Sequence, residues 1–246
     1  MKIGIIAALP DELKPLVRGW GRVKGMAKGV SMWRRPGGPD EILAVCGGMG
    51  SAAALRAFAA AEADGPLDLV LSVGWAGALT GEENLSHVMS EIVDAQTGER
   101  FLLTEGERRL RVVTAARVAD AAEKRRLRES YGAVLVDMEA AAIARLAQMR
   151  GIPMCCFKAV SDGAGAELPD INPFIGADGQ LMLPRFLAHV AVRPQFWGAL
   201  IEMGSRGPKA AKELARTIEA FLVEKDFAAV NRTGVIGKTE ADPLRG

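Results

Sequence analysis

The 246 residues carry 31 Lys and Arg against 30 Asp and Glu, a net charge of +1. No global field therefore exists to hold a nucleic-acid backbone or an anionic membrane surface, and a small ligand in a pocket is the natural partner. With 49% hydrophobic and 25% charged residues the balance is that of an ordinary globular domain, and the longest apolar runs, 3–9 and 67–73, fall far short of the ~20 residues that span a bilayer.

Met1-Lys2 leads straight into the first apolar run, with no longer apolar segment and small-residue cleavage site behind it, so the expected location is cytoplasmic. Residues 1–9 read as a buried strand ended by Pro10. Asp11 and Glu12 then open a helix to about residue 18, an early proline and first-turn acids being helix-start signals. Strands are expected at 30–35 and, after the Pro36-Gly37-Gly38-Pro39 turn, at 41–46. Gly47-Gly48-Met49-Gly50-Ser51 breaks that strand before an Ala-rich helix over 52–63. A continuous apolar strand over 67–73 runs into Gly74-Trp75-Ala76-Gly77, read as a second glycine-bearing turn, and weaker strands follow at 88–93 and 110–114. Next come a charged helix near 121–130, a strand at 133–136, a helix over 138–150 and a strand over 153–160. After Gly165 the segment 169–179 reads as loop, helical segments follow near 183–191, 194–203 and 208–225, and 231–246 is a polar, aperiodic tail. Apolar strands alternating with helices predict an α/β fold. It is a single domain over 1–230 in three layers, a central mixed β-sheet flanked by helices, with functional loops where strands end.

Cys46, Cys155 and Cys156 lack metal-site spacing and read as reduced core residues. His87 and His189 stand far apart in no ligand motif, which argues against a zinc site or a Ser-His-Asp triad. The two glycine segments suit close approach by a phosphate or sugar, or are plain strand-to-helix turns; neither is a GxGxxG or a Walker loop. Three acids fall at strand ends: Glu12, Glu139 and Asp162. Singly, each has an innocent reading as a helix-dipole acid, a first-turn acid or an Asx turn. Together they could supply a proton donor, a water activator and a hydroxyl binder.

The opening Met1-Lys2-Ile3-Gly4-Ile5-Ile6-Ala7-Ala8 with Glu12, the segment 73–78 (Val-Gly-Trp-Ala-Gly-Ala), the run 136–144 (Val-Asp-Met-Glu-Ala-Ala-Ala-Ile-Ala) and 158–163 (Lys-Ala-Val-Ser-Asp-Gly) resemble the nucleoside phosphorylase and nucleosidase superfamily. The resemblance is strongest to its methylthioadenosine/S-adenosylhomocysteine nucleosidase branch. It implies that Asp162 donates a proton toward N7 of a departing purine, that Met138 and Glu139 hold the ribose, and that Glu12 positions or deprotonates the attacking water. It also implies a substrate pocket including Gly74, Trp75, Ala76 and Ser161, with Val118 against the base, no metal or organic cofactor, and a homo-oligomer, since relatives are usually dimers. An oxocarbenium-like transition state needs this pairing of acid and nucleophile activator. The chain departs from the branch at Trp75, where a small or hydroxyl residue is usual, at Asp137, where Glu is usual, and in a shortened stretch between Gly81 and Glu107.

Segments 168–169, 172–174, 178–179 and 193–194, with Val-Asp-Met-Glu, resemble the hopanoid-associated phosphorylase subgroup, which implies an adenosyl-lipid substrate. The apolar residues of 181–186 fit a greasy 5′ side or a helix core equally. A phosphorylase needs donors for a buried dianion; Arg34, Gly48, Gly50 and Ser51 are the candidates, with Arg35 and Gly74. Asp11 and Glu12 in the first loop would repel phosphate, which favours water as nucleophile. A dinucleotide binder lacks its fingerprint, and a noncatalytic nucleoside-binding protein would not need both Asp162 and Glu139.

Overall fold

The computed structural model describes residues 1–24, 26–81, 86–103, 110–166 and 169–224; the tail expected over 231–246 lies outside them. The chain runs β1 (Lys2–Ala7), α1 (Pro10–Leu13), β2 (Gly21–Val23), β3 (Ser31–Arg34), β4 (Glu41–Cys46), α2 (Ser51–Ala63), β5 (Leu69–Ala78), β6 (Ser86–Met89), β7 (Glu91–Asp94), β8 (Arg100–Leu102) and β9 (Arg111–Thr114). It continues through α3 (Ala121–Tyr131), β10 (Leu135–Asp137), α4 (Ala140–Arg150), β11 (Met154–Asp162), α5 (Leu183–Ala191) and α6 (Trp197–Glu224).

The strands form one mixed sheet in the order β2-β3-β4-β1-β5-β10-β9-β7-β8, with β11 on β5 and β6 on β11. Its two faces are covered separately. Phe58 of α2 and Ile143 of α4 pack with Ile6, Leu43 and Val70 on one side. Leu13 of α1 and Leu214 and Ile218 of α6 pack with Ile3, Ile5, Leu71 and Phe157 on the other. Alternate residues of β1 thus go to opposite cores, as the two-residue period of a strand requires. The fold is the expected three-layer α/β arrangement.

Three elements differ from the sequence reading. Gly74-Trp75-Ala76-Gly77 is not a turn after a strand but the second half of β5; β11 pairs with it residue by residue from Met154↔Val70 to Val160↔Ala76, which holds the glycines extended. The helix after Pro10 is a single turn, its remainder to Gly19 being hydrogen-bonded turns. The segments expected at 194–203 and 208–225 are one 28-residue helix that runs through Pro208. A proline there forfeits one helical hydrogen bond, but burial of Ala210, Ala211, Leu214, Ile218 and Leu222 against the sheet outweighs it.

β5 is longer than its partners, and this opens the sheet. β11 occupies one edge of β5 along nearly its whole length. The other edge is shared: β1 pairs with Leu69–Ser72 and the antiparallel β10 with Gly77–Ala78. Residues 73–76 on that edge have no strand beside them, and the ends of β1 and β10 converge there.

Candidate active site

Glu12 fills the near side of this gap. As the third residue of α1 its side chain turns back onto the chain, Oε2 accepting from Leu9 N (2.8 Å) and Ala8 N (3.0 Å), half of a capping box. Oε1 crosses to β5 and accepts from Trp75 N (2.8 Å), an amide in the unpaired stretch. Burial raises the Glu12 pKa above the ordinary 4.5 against these three donors and the Lys158 charge. A carboxylate has about four acceptor positions, so one remains for a ligand or water. Gly74 sits at φ +152°, and a Cβ there would lie 3.0 Å from Glu12 Oε1; only glycine lets the carboxylate lie against β5.

The far side is built by β10 and the start of α4. Asp137 caps α4, Oδ2 accepting from Ala140 N (2.9 Å), while Oδ1 accepts from Thr114 Oγ1 (2.7 Å). Lys158 of β11 reaches Asp137 Oδ2 at 2.6 Å, a pair almost wholly removed from solvent. Burial works against the Lys158 ammonium, but the Asp137 carboxylate overrides it and holds the pKa above the lysine range. Glu139, beside this pair, accepts from Gly50 N (2.6 Å) and from Met138 N (3.2 Å). Burial first, and then the Asp137 charge, push its pKa up to about 7, with Glu12 adding to the rise and Lys158 opposing it. Lys158 thus acts electrostatically on both Glu12 and Glu139.

Asp162 ends β11 opposite Gly77. Ser161 Oγ donates to its Oδ1 (2.6 Å), and the Nζ of Lys124, on α3, pairs with its Oδ2 and also donates to Gly163 O (2.7 Å). Val118, on the approach to α3, has both backbone groups engaged by one side chain: its N–H donates to Asn172 Oδ1 (2.9 Å) and its carbonyl accepts from Asn172 Nδ2 (3.1 Å). An open cavity of about 360 Å³ lies alongside, lined by Gly50, Ser51, Met138, Ala116, Arg117 and Asn172 among others.

The fold places Glu12 against Gly74 and Trp75 in the middle of β5, Met138 and Glu139 across the gap at the start of α4, and Ser161 and Asp162 beside Gly77 near the end of that strand. Trp75 contributes its backbone; its ring turns to α6, where a Cβ on Gly207 would lie 3.3 Å from it, and joins the core beneath that helix. The anion candidates do not form a nest. Gly48 N donates to Ala8 O (2.9 Å), Met49 N to Gly179 O (2.8 Å) and Gly50 N to Glu139, while Ser51 Oγ faces Met138 O (3.4 Å). Arg34 is tied to Glu41 and to Asp64 (2.7 Å), where β4 begins and α2 ends, away from the gap. The cysteines are free and buried, and burial pushes the thiols of Cys155 and Cys156 up to about 12. In 181–186, Phe186 is core and rings against Phe174 at 5.7 Å, whereas Leu183 is half exposed.

Sequence reasoning did not single out Lys124, Asn172 or the Lys158–Asp137 pair as site components. Lys158 and Asp137 stood inside quoted motifs, and a lone charge in each of two apolar strands was the available signal; Lys124, in a charged helix, gave none.

Among known proteins, residues 107–191 match the phosphorylase superfamily, a segment containing Val118, Met138, Glu139, Ser161 and Asp162. A 50-residue stretch is 44% identical to the 5′-methylthioadenosine/S-adenosylhomocysteine nucleosidase of Treponema pallidum, covering 20% of this chain and 19% of that protein. Over 91% of this chain the fold superimposes on the Helicobacter pylori 5′-methylthioadenosine/S-adenosylhomocysteine nucleosidase and on the futalosine hydrolase of the same organism, each over 98% of its length, with TM-score 0.69 and 17% identity. The Arabidopsis thaliana 5′-methylthioadenosine nucleosidase gives 0.68 at 16% identity, over 90% of this chain and 94% of that one.

Proposed function

We propose that this chain, a member of the phosphorylase superfamily, hydrolyses the N-glycosidic bond of a purine nucleoside, in particular a 5′-substituted adenosine, releasing the base. The observation that carries the reading is the placing of three carboxylates along one strand: Glu12 on the Trp75 amide in the unpaired stretch of β5, Glu139 across the gap within electrostatic reach of it, and Asp162 beside Gly77, where that stretch ends. Glu139 takes hydrogen bonds from the sugar hydroxyls with Met138 against the sugar. Glu12, three of its acceptor positions held by backbone amides, offers the fourth to water and fixes that water on the reacting face. Asp162, held by Ser161, faces N7 of the base, and Val118 lies against the ring. Negative charge on two sides of the sugar favours the oxocarbenium-like state over the neutral substrate.

Water is preferred to phosphate for a physical reason. A phosphate dianion needs several free donors, and Gly48, Gly50, Ser51 and Arg34 are all engaged with acceptors of the chain itself; an anion at Gly50 would also displace Glu139. A homodimer belongs to the same reading, checked by light scattering of the eluted protein.

The test is adenine release from methylthioadenosine, S-adenosylhomocysteine, adenosine and an adenosyl-lipid analogue, with and without phosphate, for wild type and Asp162→Asn. Release independent of phosphate and lowered about 10²- to 10⁴-fold by the substitution supports the reading. Release that requires phosphate makes the enzyme a phosphorylase, and release of no base from any of the four overturns the proposal.

A further inference from the structure

A leaving purine must receive a proton as it takes the electron pair of the C1′–N9 bond. On the reading above that proton passes through Asp162, yet both oxygens of Asp162 are accepting: Oδ1 from Ser161 Oγ (2.6 Å) and Oδ2 from Lys124 Nζ. A carboxyl group so held is a carboxylate with an ammonium in contact. The proton lies on the lysine.

Lys124 is an unusual place for a lysine. Only 2% exposed, on a helix that is otherwise strongly charged, it points into the molecule while its neighbours Arg125 and Arg126 are exposed. Its amine is held at two points, Asp162 and Gly163 O (2.7 Å), leaving one of three ammonium hydrogens. The pair is packed onto bare backbone: a Cβ on Gly77 would lie 3.1 Å from both Asp162 Oδ2 and Lys124 Cε. α3 is anchored for the purpose, Asp120 capping its start through Glu123 N (2.8 Å) and Leu127 buried in the core one turn beyond.

We propose that Lys124 is the proton reservoir for the leaving base, a positioning residue that acts through Asp162. As the C1′–N9 bond breaks, Asp162 passes a proton to N7 and takes one from Lys124. The base departs neutral, the carboxylate is unchanged and the lysine is left as a free amine. Water adds its oxygen to C1′ and gives up a proton to Glu12 or Glu139. That proton returns to Lys124 through solvent when products leave, so charge and atoms balance over the cycle. The proposal rests on the glycosidic-cleavage reading and on Asp162 facing the base.

The substitutions that test it are Lys124→Arg and Lys124→Met in the full chain. Arginine keeps the positive charge and the partner of Asp162 but does not surrender a proton, so Lys124→Arg separates proton supply from charge and from folding. Each variant is assayed on the purine nucleoside that wild type cleaves and on p-nitrophenyl riboside, whose phenolate departs without protonation. The expected result is a fall in kcat of about 10²- to 10⁴-fold for both variants on the purine nucleoside, KM within a few-fold, and a much smaller fall on the nitrophenyl substrate. Lys124→Arg that cleaves the purine nucleoside as wild type does, or a variant that loses both substrates equally while keeping its melting temperature, overturns the proposal. Wild type that cleaves no purine nucleoside overturns the underlying reading instead, so the two failures are distinguishable.

Discussion

Among the described residues two lysine–aspartate pairs are buried, and they are built differently. Lys158–Asp137 lies inside the sheet, its side chains 1% and 0% exposed, and Asp137 also accepts from Thr114 and from the first amide of α4. It joins β9, β10, β11 and α4 and so fixes where Glu139 stands. Lys124–Asp162 lies at a strand end, with Asp162 11% exposed and bonded also by Ser161. The first pair is closed on all sides and can only hold; the second is open on one side and can exchange. A buried ion pair is thus no single kind of evidence: the acceptors around the acid decide between scaffold and reagent.

Breaking the closed pair should give the largest effect on stability. Lys158→Met strands Asp137 without a cation, and denaturant unfolding should show a loss of about 3–5 kcal/mol, greater than for Lys124→Met, whose aspartate can regain water. Equal losses would erase the distinction drawn between the pairs. Gly74→Ala should cost about 1–3 kcal/mol for the backbone conformation alone, with the new methyl pressing on Glu12, and base release should fall with it; a variant of unchanged activity would show that Glu12 need not rest on β5.

Glu139 sharpens the comparison by pH. Its folded pKa of about 7 lies above the ordinary 4.5. Its contribution to stability is therefore complete below pH 4.5 and is lost as pH rises through 7. Glutamine never ionises, so the melting temperature of Glu139→Gln should gain on wild type steadily from pH 4.5 to 8; a difference independent of pH would contradict the raised pKa. The smallest effect is expected at Arg34→Ala, where the pairs are solvent-exposed and worth about 0–1 kcal/mol. Base release should not change at any phosphate concentration.

The architecture was legible because long apolar runs such as 41–46 and 153–160 have few places to go except a covered sheet. Glu12, Glu139 and Asp162 were legible as strand-end acids; the structure sets Glu12 and Glu139 within electrostatic reach of each other and Asp162 further along β5, beside Gly77. What escaped was set by tertiary contact. Glycines at 74 and 77 read as a turn because local chemistry cannot show that β11 will hold them extended. Pro208 read as a helix boundary because local preference cannot weigh the apolar face of α6. Arg34 was a reasonable phosphate ligand by residue type, but it stands where β4 begins and spends its charge on Glu41 and Asp64. Lys124 is the strictest case: within α3 it looks like any other solvated cation, and only the approach of β11 gives it an acid to hold.

β11 carries one residue more than β5 at its end, the register passing from Val160↔Ala76 directly to Asp162↔Gly77. Side chains of a strand alternate between faces, so an extra residue decides which one stands opposite a given partner. If the same sequence ran on without the bulge, the position facing Gly77 would belong to Ser161, and Asp162 would fall one place further along on the other face. The acid is therefore placed by counting as much as by chemistry. A substitution in 154–160 acts at its own position, as Lys158→Met does on Asp137, whereas a change in the number of residues there shifts the register of the strand that carries both Lys158 and Asp162.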